Sequence, residues 1–175
     1  TLYCFLRGAT GRRRELWYAA SVVCCAAGMG TKEVMVTAPL AALLFDRTFL
    51  SGSFRRAISR RWPAYAGLAA TWLILAAIVR TSPRSVSAGF GLSVISWQDY
   101  AKTQFQVVLH YLRLAVLPIG QSFDYAGWQI PVGLWDLWLP AIVVLALLAL
   151  TVAGLVRRPI LGYLGAWFFL ILAPT

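Results

Sequence analysis

Residues 16–45 read LWYAASVVCCAAGMGTKEVMVTAPLAALLF. The stretch is almost wholly apolar except in the middle, where it breaks at Gly28-Met29-Gly30-Thr31-Lys32-Glu33. A soluble core has no need of such a run. In a bilayer it reads as two hydrophobic legs joined by a tight turn that carries a Lys-Glu pair. Ionisable groups at membrane depth are costly, so by default they mark function.

Composition agrees with that reading. Hydrophobic residues make up 60% of the chain and charged residues only 13%, and the mean hydropathy is +0.72. These values lie well above those of an ordinary soluble domain. The net charge is nevertheless +10, and 14 of the 16 basic residues are Arg. A basic nucleic-acid domain would spread its cations over a polar surface. Here most sit in short clusters between apolar blocks, which argues for an integral membrane protein and against a nucleic-acid partner. The cysteines are Cys4, Cys24 and Cys25, and their placement in apolar runs suggests neither a disulfide framework nor a metal site. With no initiator Met, and with Pro174-Thr175 ending directly after an apolar run, the chain reads as an excerpt of a longer protein.

A helix crossing a ~30 Å hydrocarbon core needs about 20 residues. The apolar segments at 16–30, 34–45, 62–79, 134–156 and 160–173 therefore predict an all-α, polytopic helical membrane protein, one partial transmembrane domain over 1–175. The first two legs are short for a full crossing and suit a thinned bilayer or a re-entrant hairpin. Trp135 and Trp138 anchor one end of the fourth segment. The stretch 100–117 is helical in character but carries Lys102, His110 and Arg113.

Orientation follows the arginines. Arg7, Arg12, Arg13 and Arg14 precede the first leg; Arg47, Arg55, Arg56, Arg60 and Arg61 follow the second; Arg157 and Arg158 follow the fourth segment. The positive-inside rule places all three clusters in the cytoplasm. The Lys32-Glu33 turn then faces outward. Residues 80–133 form an external region with an interfacial or re-entrant helix, longer than an idle connection needs.

Lys32 and Glu33 are the first candidate site residues. An outward Lys at the interface can pair with a lipid phosphate, and the Glu can hold it or bind a substrate hydroxyl. The blander reading is a snorkelling Lys and a helix-capping Glu. His110 and Arg113, three apart, share a helix face, and an interfacial Arg suits a phosphate. Headgroup contact explains them equally well. Asp124 beside Tyr125 suits sugar binding or a general base toward an acceptor hydroxyl; an ordinary turn Asp explains it too. The arginine clusters set topology and attract anionic lipid. Gly28 and Gly30 permit the turn or a close helix approach. No Ser-His-Asp arrangement, phosphate loop or metal-ligand spacing is visible.

Five strings carry a family resemblance. They are GMGTKEVMVTAPLAALLFDRTF at 28–49, RRWPAYAGLAATW at 60–72, HYLRLAVLP at 110–118, FDY at 123–125 and LGAWFFLILAPT at 164–175. In order and spacing they resemble the membrane region of tetratricopeptide-repeat proteins related to the protein O-mannosyltransferases, in the GT-C glycosyltransferase superfamily. The resemblance implies a multi-pass enzyme of the bacterial inner (plasma) membrane. Such an enzyme moves a sugar from a polyprenyl-phosphate donor to a protein hydroxyl on the extracytoplasmic face, with no cofactor beyond the lipid-linked sugar. It also implies a donor-phosphate role for Lys32, a catalytic acid in a loop upstream of Thr1, and repeats downstream of Thr175. Two alternatives stay open: a non-catalytic membrane anchor or scaffold of a repeat protein, and a transporter. The transporter reading ranks last, because it calls for internal symmetry and polar residues at mid-membrane.

Overall fold

The computed structural model describes residues 1–81, 97–120 and 134–173, which are mostly helical, with no strand among them. The chain forms two compact units, one of residues 1–83 with 151–175 and the other of residues 84–150.

In the first unit, helices α1 (Leu2–Thr10) and α2 (Arg14–Met29) form an antiparallel hairpin. Small residues let them approach closely. A Cβ at Gly8 would meet the Tyr18 ring at 2.7 Å, Phe5 packs against Tyr18, and Ser21 Oγ donates to the Thr1 carbonyl at 3.0 Å. Helix α2 ends at the Gly30-Thr31-Lys32 turn, where the Thr31 and Lys32 amides and the Thr31 hydroxyl all donate to the Gly28 carbonyl. Gly28 leaves room for Met35: a Cβ there would meet the Met35 side chain at 2.7 Å and oblige it to shift.

The chain returns through a 3-10 turn (Glu33–Thr37), helix α3 (Ala38–Phe45) and a wide π-type turn (Asp46–Ser51). This helical path runs past the expected boundary at Phe45 and makes the second leg 18 residues, Val34–Ser51. Gly52 then stops it in the left-handed conformation, φ 71°, where glycine carries no Cβ penalty.

Helix α4 (Phe54–Thr81) begins eight residues before the apolar segment expected at 62–79. It kinks at Arg61, whose φ of −132° is not helical. Pro63 is the cause: it has no N–H for the Ser59 carbonyl and its ring crowds that turn.

Three pairs ascend together along α2 and α4: Tyr18 with Arg61, Val22 with Gly67, and Cys25 with Thr71. These helices are therefore parallel. Helix α3 opposes them, since Trp72 Nε1 donates to the Val36 carbonyl at 2.9 Å while Asp46 meets Arg61 and Tyr65. Phe5, Cys25, Met29, Ala42, Ala64 and Leu68 form the core between them. The Thr71 hydroxyl donates to the Leu68 carbonyl at 2.7 Å, so the buried Cys25 thiol is left to donate to Thr71.

Helix α7 (Pro159–Leu172) packs on the same unit, with Tyr163 edge-on to Phe45 and Phe49. It folds back on the last turns of α6 (Leu134–Arg157), where Gly154 and Gly162 bring the backbones into contact. The second unit holds α5 (Trp97–Val116) and the α6 residues before Thr151.

Among the described residues, three helical stretches are long and apolar enough to cross a membrane: Val34–Ser51, Phe54–Thr81 and Leu137–Arg157. Pro159–Leu172 is apolar but shorter. Their outer faces are apolar as well: Leu73, Leu150 and Leu161 are all more than 60% exposed. Such faces suit hydrocarbon rather than water.

Candidate functional site

The alternating direction of α1 to α4 sorts the charges of the first unit. Arg12–Arg14 lie at the start of α2, Arg47 just after α3, and Arg55–Arg61 at the start of α4. The guanidinium of Arg47 donates through Nη2 to the Leu155 carbonyl and lies 5.4 Å from the Phe54 ring. That bond brings the Arg157-Arg158 end of α6 to the same place. The three arginine clusters thus meet at one end of the unit, and the Thr31-Lys32 turn occupies the other.

Lys32 is exposed and its backbone is extended (φ −156°, ψ 136°). Its carbonyl accepts the Met35 amide at 3.1 Å, which starts the 3-10 turn that Glu33 opens. The turn expected from the sequence is present, and its Lys projects from the helices. His110 and Arg113 share α5 in the second unit; His110 is half-buried with its ring 6.2 Å from the Tyr111 ring, and Arg113 is exposed. Asp124 and Tyr125 fall outside the described residues.

The arginine end holds a polar cluster that the sequence reading did not single out. Asp46 is fully buried, with its carboxylate 2.7 Å from Arg61 Nη1. One carboxylate oxygen accepts from Ser51 Oγ at 2.7 Å and from Arg61. The other accepts from Tyr65 Oη at 2.6 Å and again from Arg61, at 2.9 Å. A carboxylate offers about four acceptor positions, so Asp46 has no lone pair left for a substrate proton. Its chemistry is structural: it joins the end of α3 to the kink of α4. The kink explains why Arg61 can reach it, since an unbroken helix would carry that side chain elsewhere. Arg61 Nε also donates to Tyr18 Oη at 3.1 Å, which ties in α2.

The signal for this cluster was the lone acid in FDRTF, next to an apolar run in a chain with only six carboxylates. Tyr65→Phe removes one charge-assisted hydrogen bond and is expected to lower stability by about 1.5–3 kcal/mol. Thermal unfolding in detergent micelles measures this, and an unchanged midpoint would show that the 2.6 Å contact contributes nothing.

Beside this cluster, the α1–α2 turn and the kink of α4 enclose a cavity of about 300 Å³ lined by Ala9, Arg14, Tyr18, Arg60 and Arg61. No group of His, Cys, Asp or Glu among the described residues has the arrangement of a metal site.

No known protein family matches the chain, and neither a curated protein nor a solved structure shows significant similarity to it.

Proposed function

We propose that the chain is the multi-pass part of a membrane glycosyltransferase that uses a polyprenyl-phosphate sugar, with Lys32 as a contact for the donor phosphate. The observation that carries the reading is the separation of charge in the first unit. Arginines from three segments gather at one end, while Lys32 stands exposed at the other. By the positive-inside rule the arginine end is cytoplasmic. Lys32 is then on the extracytoplasmic side, at headgroup depth, where an ammonium pairs well with a phosphate. The resemblance of 28–49 and the later strings to the GT-C superfamily supplies the chemistry: a sugar passed from the lipid carrier to a protein hydroxyl. A bacterial inner membrane suits that chemistry. Glu33, His110, Arg113, Asp124 and Tyr125 are the further candidate contacts that the sequence offers for such a donor.

Lys32→Ala in the full-length protein is expected to lower donor-dependent sugar transfer about 10- to 100-fold, the worth of one charge-assisted contact. Membrane localisation and thermal stability should not change, because Lys32 is exposed. Wild-type transfer rates in that variant would remove Lys32 from the site.

One observation favours the second reading, a non-catalytic anchor or scaffold of a repeat protein. The buried carboxylate of the described helices, Asp46, is committed to holding α3 and α4 together. If the full-length wild-type protein moves no sugar from a polyprenyl-phosphate donor, the scaffold reading stands.

A further inference from the structure

We propose that the cavity at the arginine end is a binding site for a phosphomonoester, and that its occupant is the headgroup of an anionic phospholipid. Four features of the site carry this.

The first is charge. Arg61 and Asp46 neutralise each other, so the cations left facing the cavity are Arg14 and Arg60. Both are exposed and neither makes an ion pair among the described residues. Two unspent guanidinium groups match the double charge of a phosphomonoester better than the single charge of a diester. The bidentate fork of Arg suits phosphate oxygens.

The second is donor geometry. Tyr18 Oη accepts from Arg61 Nε at 3.1 Å, so its own proton is available to an oxygen in the cavity. Arg61 spends Nε on Tyr18 and Nη1 on Asp46 and Ser51. Its Nη2 makes no hydrogen bond among the described residues and remains for a ligand. Helix α2 begins at Arg14, so the positive end of its dipole lies at the cavity wall.

The third is size. At ~30 Å³ per water the cavity has room for on the order of ten waters, enough for a phosphate and part of a glycerol backbone.

The fourth separates a lipid from a soluble ion. Phe54, Ile58 and Trp62 recur every four residues on the first turns of α4, and all three are exposed. They form an apolar stripe beside Arg55, Arg56 and Arg60. That pattern belongs at the boundary of headgroups and acyl chains. The cavity therefore opens where lipid phosphates are concentrated.

The test uses the purified full-length protein, delipidated in detergent and titrated with phosphatidic acid, phosphatidylglycerol and phosphatidylcholine. Retained lipid is counted by native mass spectrometry. Phosphatidic acid is expected to bind most tightly and phosphatidylcholine least. The double variant R14Q/R60Q should weaken phosphatidic acid binding roughly 30-fold, from about ten-fold or less per arginine. R55Q/R56Q removes the same charge from the same helix end without touching the cavity, and should change binding by less than about three-fold. Equal losses in the two double variants would overturn the proposal in favour of diffuse attraction. Displacement of the lipid by millimolar inorganic phosphate would overturn the lipid assignment and make the site one for a soluble phosphate.

Discussion

Asp46→Ala is expected to destabilise the protein by about 3–5 kcal/mol, the usual cost of removing one partner from a buried ion pair. The substitution strips Arg61 of its counter-charge while the guanidinium stays only 13% exposed. It also leaves Ser51 Oγ and Tyr65 Oη without their acceptor. The loss is large because three donors, on Arg61, Ser51 and Tyr65, lose an acceptor at once. Helices α3 and α4 should separate first, since the carboxylate is their polar link. Denaturation in mixed micelles, followed by tryptophan fluorescence, measures the effect. The paired change D46L/R61M should lose less than Asp46→Ala alone, because no charge is left uncompensated. If the pair loses more than the single variant, the desolvation account of this cluster is wrong.

Gly162→Val is the second large effect. Gly162 is buried, and any Cβ there falls on the Leu155 amide nitrogen and the Gly154 carbonyl carbon. These are backbone atoms, so no side-chain rotation relieves the overlap. Helices α6 and α7 must move apart, and the expected loss is at least about 1–3 kcal/mol, the range for overpacked cores. Close backbone contact at small residues is what holds helices together in lipid, where the hydrophobic effect no longer favours association. The separation would also pull Leu155 away from Arg47. Gly165→Ala should be milder, because its Cβ would meet the Thr151 side chain, which can rotate. A Gly162→Val protein that melts at the wild-type temperature would show that α6 and α7 do not pack as described.

Most of the helical layout could be read from the sequence, because apolar blocks and arginine clusters are one-dimensional signals. Helix α2 covers the first leg, and the second leg begins as the pattern has it but runs on past 45 to Ser51. The segment at 134–156 appears as α6, Leu134–Arg157. The boundaries near charge were less legible. Asp46 looked like the end of a leg because a carboxylate ordinarily stops an apolar run. It lies inside the helical path because Arg61, fifteen residues on, neutralises it. Arg61 in turn looked like one more topology signal among Arg55, Arg56 and Arg60. Nothing in the local pattern separates a paired arginine from its solvated neighbours; only the kink before Pro63 does. Lys32 was legible for the opposite reason. It is isolated in an apolar run, and isolation is visible without a fold. The cavity was not legible, since it needs Arg14 and Arg60 from different helices.

The Asp46–Arg61 pair also constrains how the chain can be made. Synthesis delivers Asp46 to the membrane before Arg61 exists. A lone carboxylate costs about 2.5–3.5 kcal/mol at the centre of a spanning helix and less toward its end, where Asp46 stands. The segment Val34–Ser51 has only modest mean hydropathy, 1.4, to set against that. Residues 34–51 are therefore poor candidates for entering the bilayer alone. Arg61 follows ten residues after Ser51, and its pairing with Asp46 offsets that cost, so the second leg enters lipid most readily together with the start of α4.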